Sequence, residues 1–207
     1  MVRSRRCFDF RVRFDETGGI CAGIRTGRGA VRGTEELGIF PSIFASAHLS
    51  ILILARGNHI TNACQVCNLA NAASLLWHAY KSLGMPSSEV NWAGFYVLDP
   101  GSPPAHPRLV LGPFHGKVAC QLIPFGKGVC GAAASTRTTL VVDDVEQFPG
   151  HIACDGASKS EIVVPILKDG KLVAIIDVDC AVESAFEEVD KLWLEKLARL
   201  LGDACEW

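Results

Sequence analysis

Apolar side chains recur at three- and four-residue intervals from Asn68 to Leu83, at Leu69, Ala72, Ala73, Leu76, Trp77, Tyr80 and Leu83. That stripe predicts an amphipathic helix, which Gly84 and Pro86 close. Trp92 and the run Gly94 to Leu98 predict a strand, ended by the turn-rich segment DPGSPPAHP at 99–107. Further strands are predicted over Arg108–Gly112, Lys117–Phe125, Thr138–Val142, Glu161–Leu167 and Lys171–Val178, with a short helix over Gly128–Ser135. Lys168-Asp169-Gly170 supplies turn chemistry that makes the last two strands a hairpin. Phe186–Cys205 places Leu192, Trp193, Leu197, Leu200 and Leu201 on one side of a terminal helix. A helix, strands with one helical insertion, a hairpin and a final helix predict an α+β domain around an antiparallel sheet.

Residues 1–60 follow another rule. The first 33 are rich in Arg and Gly without a sustained apolar period, so poor order is expected there. The stretch 40–60 is either an element packed on the body or extraneous sequence. The expected organisation is therefore an atypical extension over 1–60 and a folded domain over 61–207. Charge divides at the same place: residues 1–60 hold 9 Arg and 5 acids, the remainder 11 basic and 17 acidic residues. An acidic main body without a basic, aromatic-laced patch argues against nucleic-acid binding and favours small-molecule partners. With 49% apolar and 20% charged residues, a chain of 207 can bury a substantial core, which excludes global disorder. The longest apolar stretch, Ile39 to Ala55, is interrupted by Pro41 and His48 and falls short of the roughly 20 residues a membrane span needs.

Nine cysteines, an odd number without a recognisable signal peptide, favour a reducing and so cytoplasmic setting in which thiols serve as core fillers, metal ligands or redox groups. Cys64-Gln65-Val66-Cys67 is a lone CxxC with no second pair and no spaced histidines, so no metal is expected there, and its helical flanks favour two packing thiols. Gly126-Lys127-Gly128-Val129-Cys130-Gly131 matches GxGxxG, but a dinucleotide fingerprint requires a parallel βαβ unit, and the strands here lead to a hairpin. The other use of those glycines is to tighten a turn and put Cys130 in a first helical turn, where the helix dipole would lower a thiol pKa.

Cys154 sits in a polar loop, FPGHIACDGASKSE, where a thiol is more reactive than in a core, and His151 three residues earlier could favour its thiolate. Asp177 and Asp179 lie two apart on a strand and share a face, a costly place for two acids unless they meet a cation or each other. Glu161 begins the preceding strand. Trp92 and Tyr96, four apart on one strand, share a face as core or as the apolar wall of a small polar ligand's pocket.

These segments, NWAGFY (91–96), LGPFHGKVACQLIPFGKGVCG (111–131), DVEQFPGHIACDGASKSEIVVPI (144–166) and AIIDVDC (174–180), together resemble the free methionine-(R)-sulfoxide reductases, a family built on the GAF fold. The resemblance covers residues 61–207 and implies a six-stranded antiparallel sheet flanked by helices around a small closed pocket. It implies Cys154 as nucleophile, Cys120 as its disulfide partner and Cys130 as a third redox cysteine that can alternatively be the attacking thiol. Trp92 and Tyr96 would wall the methyl sulfoxide end, and Glu161, Asp177 and Asp179 would bind substrate and polarise the sulfoxide. Thiol chemistry of this kind requires no metal and no bound cofactor. A thiolate attacks sulfur, an acid protonates the departing oxygen, and the sulfenic acid is resolved to a disulfide that thioredoxin reduces. A homodimer is expected at family level. The competing expectations are a GAF sensor that binds a ligand without turnover and a redox switch whose disulfide regulates a partner.

Overall fold

The computed structural model describes residues 61–150 and 156–207. The expectations for residues 1–60, His151 and Cys154 therefore lie outside the described residues. The chain divides into two units, Met1–Glu35 and Glu36–Trp207, and every described residue belongs to the second.

Helix α1 (Thr61–Ser82) buries the predicted stripe, with Leu69, Ala72, Ala73, Leu76 and Tyr80 all at most 3% exposed. It closes when Leu83 N–H donates to Tyr80 O (3.1 Å) ahead of Gly84. A 3₁₀ turn at Ser87–Glu89 leads into β1 (Val90–Leu98). There follow β2 (Arg108–Gly116), β3 (Leu122–Pro124), α2 (Gly128–Thr136), β4 (Leu140–Val142), β5 (Ser160–Lys168), β6 (Lys171–Cys180) and α3 (Glu188–Ala204). The six strands form one sheet in the order β3-β2-β1-β6-β5-β4, antiparallel at every pairing, as the α+β reading expects. Two segments differ from the expectation. The second strand runs on to Gly116, and of the strand expected over Lys117–Phe125 only Leu122–Pro124 pairs with β2, leaving 117–121 as a connecting segment. Its backbone is held elsewhere: Leu111 N–H donates to Gln121 O (3.0 Å), and Lys117 O accepts from the Trp92 indole (3.1 Å).

Strand alternation sends the two faces of the sheet to different cores. Ala93 and Phe95 of β1, Ile162, Val164 and Ile166 of β5, and Ala174, Ile176 and Val178 of β6 pack against α1 and α3. The intervening residues Trp92, Tyr96, Val163 and Ile175 face the other side, where α2 covers them with Val129, Cys130, Ala133 and Ala134. Each fully buried Ile or Leu contributes roughly 1.5–3 kcal/mol, so the first, larger core anchors the sheet. The second is free to carry polar groups. Helix α3 is fixed by a capping box in which Asp190 accepts from Glu187 N–H (2.8 Å), and the same buried carboxylate accepts from Tyr80 OH (3.0 Å), tying α3 to α1.

Cys67, expected to pack inside α1, is exposed on it. The spacing of the CxxC puts its second thiol beyond the buried arc of the helix. Among the described residues no helix is long and apolar enough to cross a membrane.

Candidate active site

The register of the three central strands builds the site. Trp92 on β1 lies opposite Asp179 on β6, and Asp179 lies opposite Glu161 on β5, so these three side chains form one row across the sheet. The next row holds Gly94, Asp177 and Val163. Cross-strand neighbours stand about 4.5–5.5 Å apart, so the two rows concentrate three carboxylates beside an aromatic side chain. Trp92, Tyr96, Cys120, Cys130, Glu161, Asp177 and Asp179 all line one cavity of about 90 Å³. The eighth expected residue, Cys154, lies outside the described residues, four positions before Ser158, which also lines the cavity.

Three aromatic rings form the apolar wall. Trp92 stacks on Tyr96 (5.8 Å between ring centres, 21° between planes) and on Phe114 (5.2 Å, 11°). Gly94 makes this possible. A Cβ there would run into Phe114 Cβ and come within 2.8 Å of the Trp92 ring, so no larger residue fits between the aromatic rows. Gly94 and Phe114 complete the wall and carry no reactive group by which a sequence motif would single them out. The available signal was the glycine inside an otherwise bulky strand, NWAGFY, which marks a close approach.

The GKGVCG segment serves packing. Gly126 and Gly128 take positive φ (78° and 62°), and Gly126 N–H donates to Gly131 O (2.7 Å). A Cβ on Gly131 would collide with Pro124 O. The glycines thus press the first turn of α2 against the end of β3 in a wholly antiparallel sheet, without the parallel βαβ unit a dinucleotide requires. They deliver Cys130 to that first turn, 6% exposed, with its thiol 3.5 Å from Glu161 Oε1.

The helix dipole does not win at Cys130. Burial, followed by the negative charges of Asp177, Glu161 and Asp179, pushes this thiol well above its ordinary pKa, the reverse of the lowering expected from its place at a helix start. Glu161 is likewise raised well above the usual carboxylate range, first by burial and then by Asp177 and Asp179. Burial also lifts Asp177, to about 6, against the lowering effect of hydrogen bonds to Cys130 and Glu161. Of the two neighbouring acids, burial and the nearby carboxylates thus favour the protonated form of Glu161, the group suited to donate a proton. Asp177 is 5% exposed, and its Oδ1 has no hydrogen-bond partner among the described residues. Cys120 is half-buried in the 117–121 segment, and none of the described cysteines 67, 120, 130, 180 and 205 is in a disulfide.

An acidic cavity with an aromatic wall suits a small ligand that carries a cationic group and an acceptor oxygen. Among the described residues, one group of side chains could hold a cation by itself: Cys130 Sγ and one oxygen each of Glu161 and Asp177 lie within 4.8 Å of one another.

The comparisons with known proteins agree with this geometry. The GAF domain family matches residues 73–206. A free methionine-R-sulfoxide reductase of Saccharomyces cerevisiae is 59% identical over 141 residues, 68% of this chain and 75% of the yeast protein. A solved structure described as that of the GAF domain superposes with a TM-score of 0.73 at 51% identity, over 81% of this chain and 90% of the other. The free methionine-R-sulfoxide reductase of Neisseria meningitidis in complex with its substrate superposes with a TM-score of 0.70 at 34% identity, over 84% of this chain and 93% of that one.

Proposed function

Because the chain belongs to the GAF domain family and, within it, to the free methionine-R-sulfoxide reductases, we propose that it reduces free L-methionine-(R)-sulfoxide to L-methionine through cysteine chemistry in the cavity between β1, β6, β5 and α2. The carrying observation is the row Trp92, Asp179, Glu161 with Asp177 beside it, an aromatic wall facing paired acids.

The residue roles follow from the chemistry each group can perform. The substrate's methyl sulfoxide end lies against Trp92 and Tyr96. Its ammonium takes the carboxylates of Asp177 and Asp179, which compensates the desolvation cost of holding acids in the cavity. Glu161, whose pKa burial and the neighbouring acids raise, donates its proton to the sulfoxide oxygen. Cys154 attacks the electrophilic sulfur, methionine leaves, and the oxygen stays on the enzyme as a sulfenic acid. The raised pKa of Cys130 supports this division, since a thiol whose ionisation is disfavoured by burial and three neighbouring acids is a poor nucleophile. Cys120, in the cavity lining, then displaces water from the sulfenic acid to form a disulfide, and an external dithiol such as thioredoxin reduces it by exchange. The small cavity favours a free amino acid over a peptide.

Single-turnover methionine release from the prereduced protein tests the reading, with free L-methionine-(R)-sulfoxide, its S epimer and a peptide-bound sulfoxide offered in parallel. Release from the free R epimer alone is expected. No release from any of the three overturns the reading and leaves a GAF binding module. Cys154→Ser should abolish turnover, whereas Cys120→Ser should release one equivalent of methionine and stop. Full multi-turnover activity of Cys154→Ser with thioredoxin would reassign the nucleophile.

A further inference from the structure

The cavity gathers more anionic capacity than a thiol reaction in isolation requires. Among its described lining residues Lys127 is the one cationic side chain, and it is exposed. Facing the cavity are the Cys130 thiol and the carboxylates of Glu161, Asp177 and Asp179. Cys130, Glu161 and Asp177 are all at most 6% exposed, and the Asp177 oxygen Oδ1 has no partner among the described residues. A buried carboxylate oxygen without a donor loses hydration for which nothing in its surroundings substitutes, so such an atom points to a ligand.

The spacing favours a metal ion of the zinc class. With zinc–sulfur bonds of about 2.3 Å and zinc–oxygen bonds of about 2.0–2.2 Å at a tetrahedral angle, sulfur and oxygen ligands stand about 3.5 Å apart. Cys130 Sγ and Glu161 Oε1 are separated by 3.5 Å, and the third ligand atom, from Asp177, lies within 4.8 Å of both. The three ligands come from separate rigid elements, α2, β5 and β6, so the set is formed before any ion arrives. A thiolate with two carboxylates selects zinc or cobalt over magnesium and calcium, which prefer all-oxygen shells.

We propose that the reduced, substrate-free protein binds one zinc-class divalent cation in this cavity, through Cys130 Sγ, Glu161 and Asp177, with water completing the tetrahedron. On coordination the Cys130 thiol releases its proton to solvent and the sulfur is shielded from oxidation. The ion occupies the carboxylates assigned above to the substrate, so metal and substrate exclude each other. That last consequence rests on the proposed function, whereas the metal site itself does not.

The test titrates Co²⁺ under anaerobic conditions into the full-length, prereduced, metal-free chain and follows the near-ultraviolet charge-transfer absorption of a cobalt–thiolate bond. One equivalent should produce the band, and Zn²⁺ should displace cobalt, following the usual order of affinities. Cys130→Ser should abolish the band, and Glu161→Gln and Asp177→Asn should each weaken cobalt binding at least about tenfold. The chain has nine cysteines, so a Cys64→Ser/Cys67→Ser double variant controls for the helical CxxC and should keep the band. Metal-free thermal unfolding of each variant establishes that it is folded. A band that survives Cys130→Ser, or disappears in the double variant, overturns the proposal. Methionine, the product, should release the bound cobalt. If cobalt bound through Cys130 withstands methionine, the metal site stands and the substrate reading of the cavity fails.

Discussion

The Cys130 thiol and the Glu161 carboxyl lie 3.5 Å apart inside the sheet–helix interface, where the Glu161 charge raises the cost of ionising Cys130 while the hydrogen bond from the thiol eases the ionisation of Glu161. This setting disfavours the Cys130 thiolate, in keeping with the proposed assignment of the nucleophile to Cys154. Alkylation by iodoacetamide at pH 7.5, read site by site by mass spectrometry, should label exposed Cys67 first, half-buried Cys120 next, and buried Cys130 at least tenfold more slowly than Cys67. Equal rates at Cys67 and Cys130 would remove the basis for this assignment.

Replacing Glu161 by Gln keeps the shape and the hydrogen-bonding capacity but removes the transferable proton. Loss of a general acid typically lowers a rate by about 10²–10⁴-fold, and a fall of that size in kcat/KM is expected for Glu161→Gln. The pH profile separates chemistry from packing. In the proposed role Glu161 acts in its protonated form, and its pKa is raised, so wild-type activity should decline as pH rises through that raised value, and the variant should lack this limb.

Burial raises Asp177 from 3.8 to about 6. The folded state therefore binds a proton that the unfolded chain gives up, so the stabilisation from this group is fully present below pH 3.8 and is lost as pH rises through about 6. A shift of this size corresponds to about 3 kcal/mol at neutral pH. Asp177→Asn, which cannot ionise, should unfold several degrees higher than the wild type at pH 8, with the difference closing by pH 4. A gap that widens on acidification would reverse the sign of this account.

Gly94 is the narrowest point of the aromatic wall. A methyl group there meets Phe114 Cβ and the Trp92 ring, and overpacking of this kind costs roughly 1–3 kcal/mol. Gly94→Ala should lose that much stability in urea denaturation. It should also raise KM more than it lowers kcat, since it displaces Trp92 and leaves Glu161 in place. Unchanged stability and KM together would show that the wall tolerates the added carbon.

Local spacing determined much of this protein. The helical stripe from Leu69 to Tyr80 and the Asp169-Gly170 hairpin were legible because the period of a helix and the chemistry of a turn are properties of neighbouring residues. The shared faces of Trp92 with Tyr96 and of Asp177 with Asp179 followed from the two-residue period of a strand in the same way. The motifs around the cysteines and acids carried the family. The tertiary structure decided what those groups do to one another. Only the strand order sets β1, β6 and β5 side by side, so that Trp92, Asp179 and Glu161 fall in one row. Only the burial of α2 against that row turns Cys130 from an expected low-pKa thiol into a high-pKa one. Pairing between distant strands and the removal of water from a site depend on residues far apart in the chain, and no local pattern encodes either.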